Sequence, residues 1–260
     1  MRYGDVKRYP GFGLFLGLFF LYLYVPIIIL VVHSFNDSRF SSMWGGFSLR
    51  WYASALQNKS LLDAVLTSFK VGIASAVLAT VIALMAALIL VRGRRVRYRN
   101  LSTTLINLPL FLPEVVLAVA MLILFSRLGI ENGMLKLIIA HTTFCTPFAF
   151  LPIRARMQGM SEELEEAGQD LYATPWKTFW RVTLPTISPG VFAGAMLAFL
   201  MSMDDFITSM MLNGGGSTTL PVYIFSLIRN GTSPELNAIS ALVILASLSF
   251  AAIVILLRRR

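Results

Sequence analysis

Long stretches without a charged residue constrain this chain more than any other feature. Residues 11–33 carry no Lys, Arg, Asp or Glu, and neither do residues 71–91. One helical crossing of a bilayer core needs about 20 consecutive apolar residues. With 57% hydrophobic residues and a mean hydropathy of +0.73, the chain has more apolar surface than a water-soluble domain of its size can bury. The sequence therefore predicts an all-α integral membrane protein.

Six apolar stretches are long enough to be read as transmembrane helices within a single domain over residues 1–260. The first is too long for the core of a signal peptide and lacks a small-residue cleavage site after it, so we expect it to be retained. The predicted spans are 11–33, 67–91, 102–126, 136–153, 189–211 and 236–257.

Lysine and arginine predict the orientation of these spans. Most of them lie in the two termini and in the loops 92–100 and 154–188. Because loops on the cytoplasmic side carry an excess of Lys and Arg, both termini are predicted to be cytoplasmic in a bacterial plasma (inner) membrane. The same rule explains the net charge of +9, and no basic segment interleaved with aromatics indicates nucleic acid as a partner.

The sequence offers little enzyme chemistry. Cys145 is the only cysteine, which excludes an internal disulfide and a cysteine-rich metal site. The G-x-x-x-x-G-K-[ST], H-E-x-x-H and G-x-S-x-G motifs are absent. His141 is expected to be an interior hydrogen-bonding residue. We therefore predict no enzyme activity, no metal site and no cofactor in this chain.

Three carboxylates, Glu114, Asp204 and Asp205, fall inside predicted spans, where a charge costs about 3 kcal/mol or more. No Lys or Arg lies in the same spans, so we expect them to line a route for a cation rather than to pair within this chain. Pro109 and Pro113 weaken the helix before Glu114 and free backbone carbonyls. A structural role for Glu114 remains the alternative.

Helix geometry adds two expectations about these carboxylates. At 1.5 Å per residue, Glu114 and Asp204 each lie about 20 Å along their spans, at a similar depth. Adjacent Asp204 and Asp205 would point about 100° apart on one helix, so we expect one to face the pathway and the other to hold a neighbouring helix. Which of the two faces the pathway stays open.

The loop 154–188 is unlike the other connections because it is acidic and amphipathic. Ser161 can cap a helix with a Glu-rich first turn, and Thr174 with Pro175 can start a second helix. From the residues alone, a hairpin lying on the membrane surface and a docking element for a soluble partner are equally open.

Within this loop, Glu166-Ala167-Gly168 followed by Val182-Thr183-Leu184-Pro185 resembles the signature of permease subunits of ABC importers. In that family the signature reads Glu-Ala-Ala, three residues, Gly, nine residues and an aliphatic-x-Leu-Pro end. The resemblance implies a type I importer permease fold with a coupling helix that receives the movement of an ATPase. The residues it implicates in ATPase coupling are Glu165, Glu166, Ala167, Gly168, Asp170 and Tyr172.

Two positions depart from that signature. Gly168 stands where the second Ala is usual, and Tyr172 stands where the Gly is usual. Because that glycine normally takes up the turn between the two helices, we expect the turn to move to Ala173-Thr174.

Five further motifs, in this order along the chain, are similar to those of spermidine/putrescine importer permeases, and to the second of the two permease subunits. The resemblance implies half of a translocation pathway for polyamines. It also implies as partners a second homologous permease, two ATPase subunits that bind ATP and Mg, and an extracytoplasmic solute-binding protein. An ion-coupled secondary carrier and an ABC permease for another small solute are the alternatives. The motifs are Trp51-Tyr52, Thr143-Phe144-Cys145, Ser202-Met203-Asp204-Asp205, Thr219-Leu220-Pro221 and Ser233-Pro234-Glu235-Leu236-Asn237-Ala238.

Overall fold

The computed structural model describes residues 11–38, 43–93, 96–214, 216–229 and 234–258. All regular secondary structure in these residues is helical. The α-helices are α1 (Phe12–His33), α2 (Arg50–Gln57), α3 (Lys59–Arg92), α4 (Arg99–Asn107), α5 (Glu114–Arg127), α6 (Gly133–Gln158), α7 (Glu163–Asp170), α8 (Pro175–Thr178), α9 (Leu184–Asp204), α10 (Ile207–Leu212), α11 (Leu220–Arg229) and α12 (Pro234–Arg258). A 3₁₀ turn (Leu108–Leu110) follows α4, and a π-helical segment (Phe179–Thr183) lies between α8 and α9.

Contacts divide the chain into two compact units, Met1–Leu61 with Ile224–Arg260 and Leu62–Tyr223. In the first unit, α12 packs against α1 and α2. The buried side chain of Asn36 organises the turn between α1 and α2, because its amide donates to the carbonyl of Met43 at 2.7 Å. The prediction of a single transmembrane domain stays a prediction.

The second unit is built around the close pairing of α6 with α9. A Cβ placed on Gly194 would lie 2.7 Å from the carbonyl oxygen of Ala149, so the two backbones approach as closely as a glycine allows. The Cys145 thiol donates to the carbonyl of Ala198 at 3.2 Å across the same contact. A stripe of fully buried alanines on α3, including Ala79 and Ala83, belongs to the same core. Small residues let apolar helices pack closely in a membrane.

Four helices of the described part of the chain are long and apolar enough to cross a membrane: α1, α3, α6 and the continuous run Pro175–Asp204. A fifth crossing is possible if Arg99–Leu110 and Glu114–Arg127, which are bent by 100°, count as one span. The structure supports four or five crossings among these residues, and the prediction of six, which includes α12, stays a prediction.

The third predicted span, 102–126, is not one straight helix. It breaks between Leu110 and Glu114, where Pro109 and Pro113 each remove an amide donor and Pro113 is extended (φ −57°, ψ 131°). The estimate of the depth of Glu114 along a continuous helix is therefore wrong.

The fifth predicted span, 189–211, is also broken. Helix α9 ends at Asp204, Asp205 is extended (φ −66°, ψ 120°), and α10 begins at Ile207. Asp204 and Asp205 do not share a helix, so the expected angle of about 100° between them does not apply.

Candidate functional site

The acidic hairpin (residues 160–185) turns at Tyr172. This residue has a positive φ of 59°, its N–H donates to Gln169 at 2.8 Å, and the N–H of Ala173 donates to Gly168 at 3.2 Å. These two bonds form a Schellman motif, which satisfies the last carbonyls of α7. The expectation that the turn moves to Ala173-Thr174 is wrong: Tyr172 itself adopts the left-handed conformation, and its side chain is 98% exposed.

The start of the second helix of the hairpin agrees with the sequence. The Thr174 hydroxyl accepts the N–H of Lys177 at 3.4 Å, and Pro175 occupies the first helical position. A capping side chain and a proline here leave few amide donors unsatisfied.

The residues implicated in ATPase coupling separate into two groups. Glu166, Ala167, Asp170 and Tyr172 are exposed. Gly168 is half-buried against Thr178, and Glu165 is half-buried.

Glu165 is fixed within the chain rather than presented to solvent. Its Oε2 lies 2.8 Å from Nε of Arg92 at the end of α3, and its Oε1 accepts the hydroxyl of Thr183 at 2.6 Å. Arg92 is not among the residues predicted from the sequence, because it is separated from the hairpin by about seventy residues. Its position, directly after the charge-free stretch 71–91, was the only signal in the sequence.

Asp205 is the buried member of the three carboxylates. Its oxygens accept the N–H groups of Thr208 at 3.3 Å and Ser209 at 2.8 Å, which satisfies the first turn of α10. Its Oδ2 also lies 3.2 Å from Nε2 of His141 on α6, with both side chains 1% exposed. Asp205 therefore joins the break after α9 to the neighbouring helix α6.

His141 is an interior hydrogen-bonding residue, as the sequence predicts. Its Nδ1 lies 2.7 Å from the hydroxyl of Ser202, and its Nε2 lies 3.2 Å from the hydroxyl of Ser209. The expectation that nothing in this chain pairs with the carboxylates is wrong for Asp205, because its partner is a histidine and not a Lys or Arg. A histidine in an otherwise apolar span was the available signal.

Glu114 and Asp204 are exposed in the chain alone. Bending of the third span brings the Glu114 carboxyl within hydrogen-bonding reach of Asp205, and Asp204 is close enough to repel Glu114 electrostatically. Two carboxylates within hydrogen-bonding reach of each other, as Glu114 and Asp205 are, need a proton or a cation between them, because ionised carboxylates only accept hydrogen bonds. The fold thus gathers all three acidic residues that the sequence singles out.

A cleft of about 390 Å³ lies apart from the three carboxylates. It is lined by residues at the end of α5, in the connection to α6 and at the start of α6, among them Ser126, Glu131 and Lys136. The carboxylates themselves lie at helix breaks.

Comparison with known proteins decides the family. Residues 79–260 match the family described as "binding-protein-dependent transport system inner membrane component". This chain belongs to that family.

Relatives of this permease match about nine-tenths of its length. It is 38% identical to the putrescine transport system permease protein PotI of Escherichia coli (strain K12), over 92% of this chain and 87% of the relative. It is 35% identical to the spermidine/putrescine transport system permease protein PotC of Haemophilus influenzae, over 95% of both chains. The putative 2-aminoethylphosphonate transport system permease protein PhnV of Salmonella typhimurium is 28% identical over 89% of this chain.

Two solved structures share the fold of this permease. A bacterial ABC transporter that imports the acidic polysaccharide alginate superposes with a TM-score of 0.74 at 18% identity, covering 93% of both chains. The alginate transporter in complex with its alginate-bound periplasmic protein superposes with a TM-score of 0.69, covering 96% of this chain and 94% of the other. The fold is that of an ABC importer permease.

Proposed function

We propose that this permease is one of two membrane-spanning subunits of an ATP-driven polyamine importer and forms half of its translocation pathway. The observation that carries the proposal is the similarity, over nine-tenths of the chain, to permeases named for putrescine and spermidine. The gathering of Glu114, Asp204 and Asp205 supports a cationic solute, because a polyamine carries several ammonium groups that donate to carboxylates.

The three carboxylates have different roles in this proposal. Asp205 holds α6 through His141, so its contribution to the pathway is indirect. Glu114 and Asp204 are exposed and are the groups that contact the solute. Glu114 begins α5 directly after the three non-helical residues 111–113. We propose that backbone carbonyls of this break are further acceptors for an ammonium group.

Energy for import comes from outside the chain. In the proposed complex the acidic hairpin is cytoplasmic, as are both termini, and it docks on one of two ATPase subunits that bind ATP and Mg. A second homologous permease completes the pathway, and an extracytoplasmic solute-binding protein delivers the solute. The exposed signature residues Glu166 and Ala167 and the exposed ring of Tyr172 are the surface available to the ATPase.

The test is polyamine uptake by cells that lack their own polyamine importers. These cells express this permease together with the second permease, the ATPase and the solute-binding protein. We expect uptake of labelled putrescine or spermidine that requires ATP and a hydrolysis-competent ATPase subunit. Uptake that persists with an inactive ATPase and stops with a protonophore would favour a secondary carrier. Uptake of 2-aminoethylphosphonate without either polyamine would overturn the proposed solute and keep the class.

A further inference from the structure

Arg92, the last residue of α3, contacts three groups of the acidic hairpin at once. Its Nε lies 2.8 Å from Oε2 of Glu165, and its Nη2 donates to the carbonyl of Met160 at 3.0 Å. Its Nη1 lies 3.4 Å from Oε1 of Glu162. The guanidinium group thus connects the end of α3 to the segment that leads from α6 into α7.

Glu165 extends the connection to a third helix. The carboxylate that faces Arg92 also accepts the hydroxyl of Thr183, a buried residue at the end of the π-helical segment that continues into α9. The Arg92–Glu165 ion pair and these two hydrogen bonds, to Met160 and from Thr183, therefore join the end of α3 to the beginning and the end of the hairpin.

Burial makes this ion pair different from an ordinary surface pair. The side chains of Arg92 and Glu165 are each 16% exposed, whereas that of Glu162 is 68% exposed. Exposed pairs contribute little, because water and salt screen them, and the Glu162 contact is of that kind. Removing one partner of a mostly buried pair leaves the other charge uncompensated, so breaking the Arg92–Glu165 contact costs more than breaking the exposed contact with Glu162.

The other part of α3 lies against the helix that carries Asp204. A Cβ placed on Gly72 would lie 3.1 Å from the ring of Phe199 and 3.2 Å from the sulfur of Met203. A displacement of α3 along its axis therefore acts on α9 one residue before Asp204. Because packed helices shift largely as rigid elements, a displacement of α3 at Arg92 also displaces α3 at Gly72.

We propose that Arg92 is a positioning residue that makes α3 move together with the acidic hairpin during the ATP cycle. The movement of the ATPase then reaches the carboxylates through α3 as well as through α9. The inference rests on the proposed function only in that the hairpin receives the ATPase, and the identity of the solute does not enter.

The experiment measures whether α3 follows the hairpin. The full complex, purified through its ATPase subunit and held in lipid nanodiscs, carries spin labels at Ile73 and Gln169 in a Cys145→Ala background. Both label sites are exposed, and Ile73 lies about 28 Å along α3 from Arg92 at 1.5 Å per residue. We expect the distance between the labels to be the same without nucleotide and with trapped ATP and vanadate, and to shift by several Å on trapping in Arg92→Ala.

The matched control is Arg97→Ala. Arg97 lies five residues after Arg92, is exposed and stacks on the ring of Tyr98. The control variant should behave as the unsubstituted complex. Exchange of the charges in Arg92→Glu with Glu165→Arg should restore the constant distance, a rescue that a loss of packing alone would not give. If Arg92→Ala does not assemble, Arg92→Gln replaces it. This variant keeps a donor for the Met160 carbonyl, lacks the charge, and should show the same shift in the label distance.

Two results would overturn the inference. One is a distance that changes on trapping in the unsubstituted complex, because α3 would then not follow the hairpin. The other is a constant distance in an assembled Arg92→Ala or Arg92→Gln complex. The two states that are compared are set by ATP and vanadate and not by a polyamine. A failure of polyamine uptake would therefore overturn the proposed solute without contradicting the role of Arg92.

Discussion

At Tyr172 a bulky side chain occupies a left-handed backbone conformation, which costs an L-residue about 1–2 kcal/mol. The two Schellman hydrogen bonds and the satisfied end of α7 offset that cost. The ring makes no compensating intramolecular packing, because it is 98% exposed. The stability of the hairpin thus does not explain a tyrosine at this position, and its exposure is consistent with the proposed docking of the ATPase.

Replacing Tyr172 by glycine should stabilise the turn by about 1 kcal/mol, because glycine adopts a positive φ without a Cβ clash. The measurement is hydrogen exchange of the Tyr172 and Ala173 amides, which should slow about fivefold in Tyr172→Gly. Gln169→Gly is the control, since it places glycine in the helical part of α7 and should speed exchange by a similar factor. Faster exchange in Tyr172→Gly would show that the ring stabilises the turn.

The two adjacent aspartates should respond differently to loss of charge. Asp205→Asn weakens a buried charge-assisted contact with His141, so we expect a loss of about 1–3 kcal/mol in the stability of the purified complex, read as a lower melting temperature. Asp204→Asn removes an exposed carboxylate and should leave the melting temperature unchanged. Equal destabilisation by both would contradict the separation of their roles.

Polyamine uptake tests the role of the two exposed carboxylates, Asp204 and Glu114. Asp204→Asn and Glu114→Gln should each lower polyamine uptake about tenfold while the complex stays assembled, since each removes a charged acceptor for an ammonium group. Pull-down of the ATPase checks assembly. Wild-type uptake rates in both variants would remove these residues from the pathway.

At the scale of the element, the pairing of α6 with α9 depends on the absence of a side chain at Gly194. A Cβ there would approach the Ala149 carbonyl to 2.7 Å, whereas a Cβ on Gly17 of α1 meets no atom within 4 Å. Close backbone approach of this kind is typical of helix pairs in membranes.

We expect Gly194→Ala to cost about 1–3 kcal/mol, because the two helices must separate or shift to admit one carbon atom. The matched control is Gly17→Ala, which should be neutral or slightly stabilising since alanine is the better helix former. Thermal unfolding of the purified chain in detergent compares them. A smaller loss for Gly194→Ala than for Gly17→Ala would contradict the packing of α6 on α9.

Helix breaks were the least predictable elements. Prolines before Glu114 predict a weakened helix, but a bend of 100° depends on what the freed carbonyls and the following helix pack against. The break at Asp205 has no proline or glycine at or beside it. It forms because the carboxylate bonds the amides of α10 and His141 of another helix, which are tertiary contacts that a local pattern does not contain.

The long apolar helices and the start of the second hairpin helix were predictable, because hydropathy and a Thr-Pro cap are local signals. Glu165 is the opposite case. Its position directly before the signature indicates a surface role, yet Arg92 and Thr183 hold it inside the chain. An ion pair across about seventy residues leaves no periodic trace in the sequence.

At the scale of the whole molecule, the proposed function depends on transfer of movement from the ATPase to the permease. Glu166 is exposed on α7, so Glu166→Lys should detach or uncouple the ATPase without unfolding the permease. Pull-down with the ATPase and ATP-dependent uptake measure the two effects. Glu131→Lys, with the same charge change at an exposed site far from the hairpin in sequence, is the control, and normal values for both readouts in Glu166→Lys would contradict a docking role.

The bend between Leu110 and Glu114 also bears on how the cell handles this subunit. Backbone groups that no helix satisfies cannot face lipid, so they must lie against protein or water. In the proposed importer the second permease and the aqueous pathway supply that environment. A copy made without its partner exposes polar backbone to the bilayer, and we expect it to be short-lived, with pulse-chase turnover that slows when the partner is produced alongside it. The distortion that lets the pathway form would thus also mark an orphan subunit for removal.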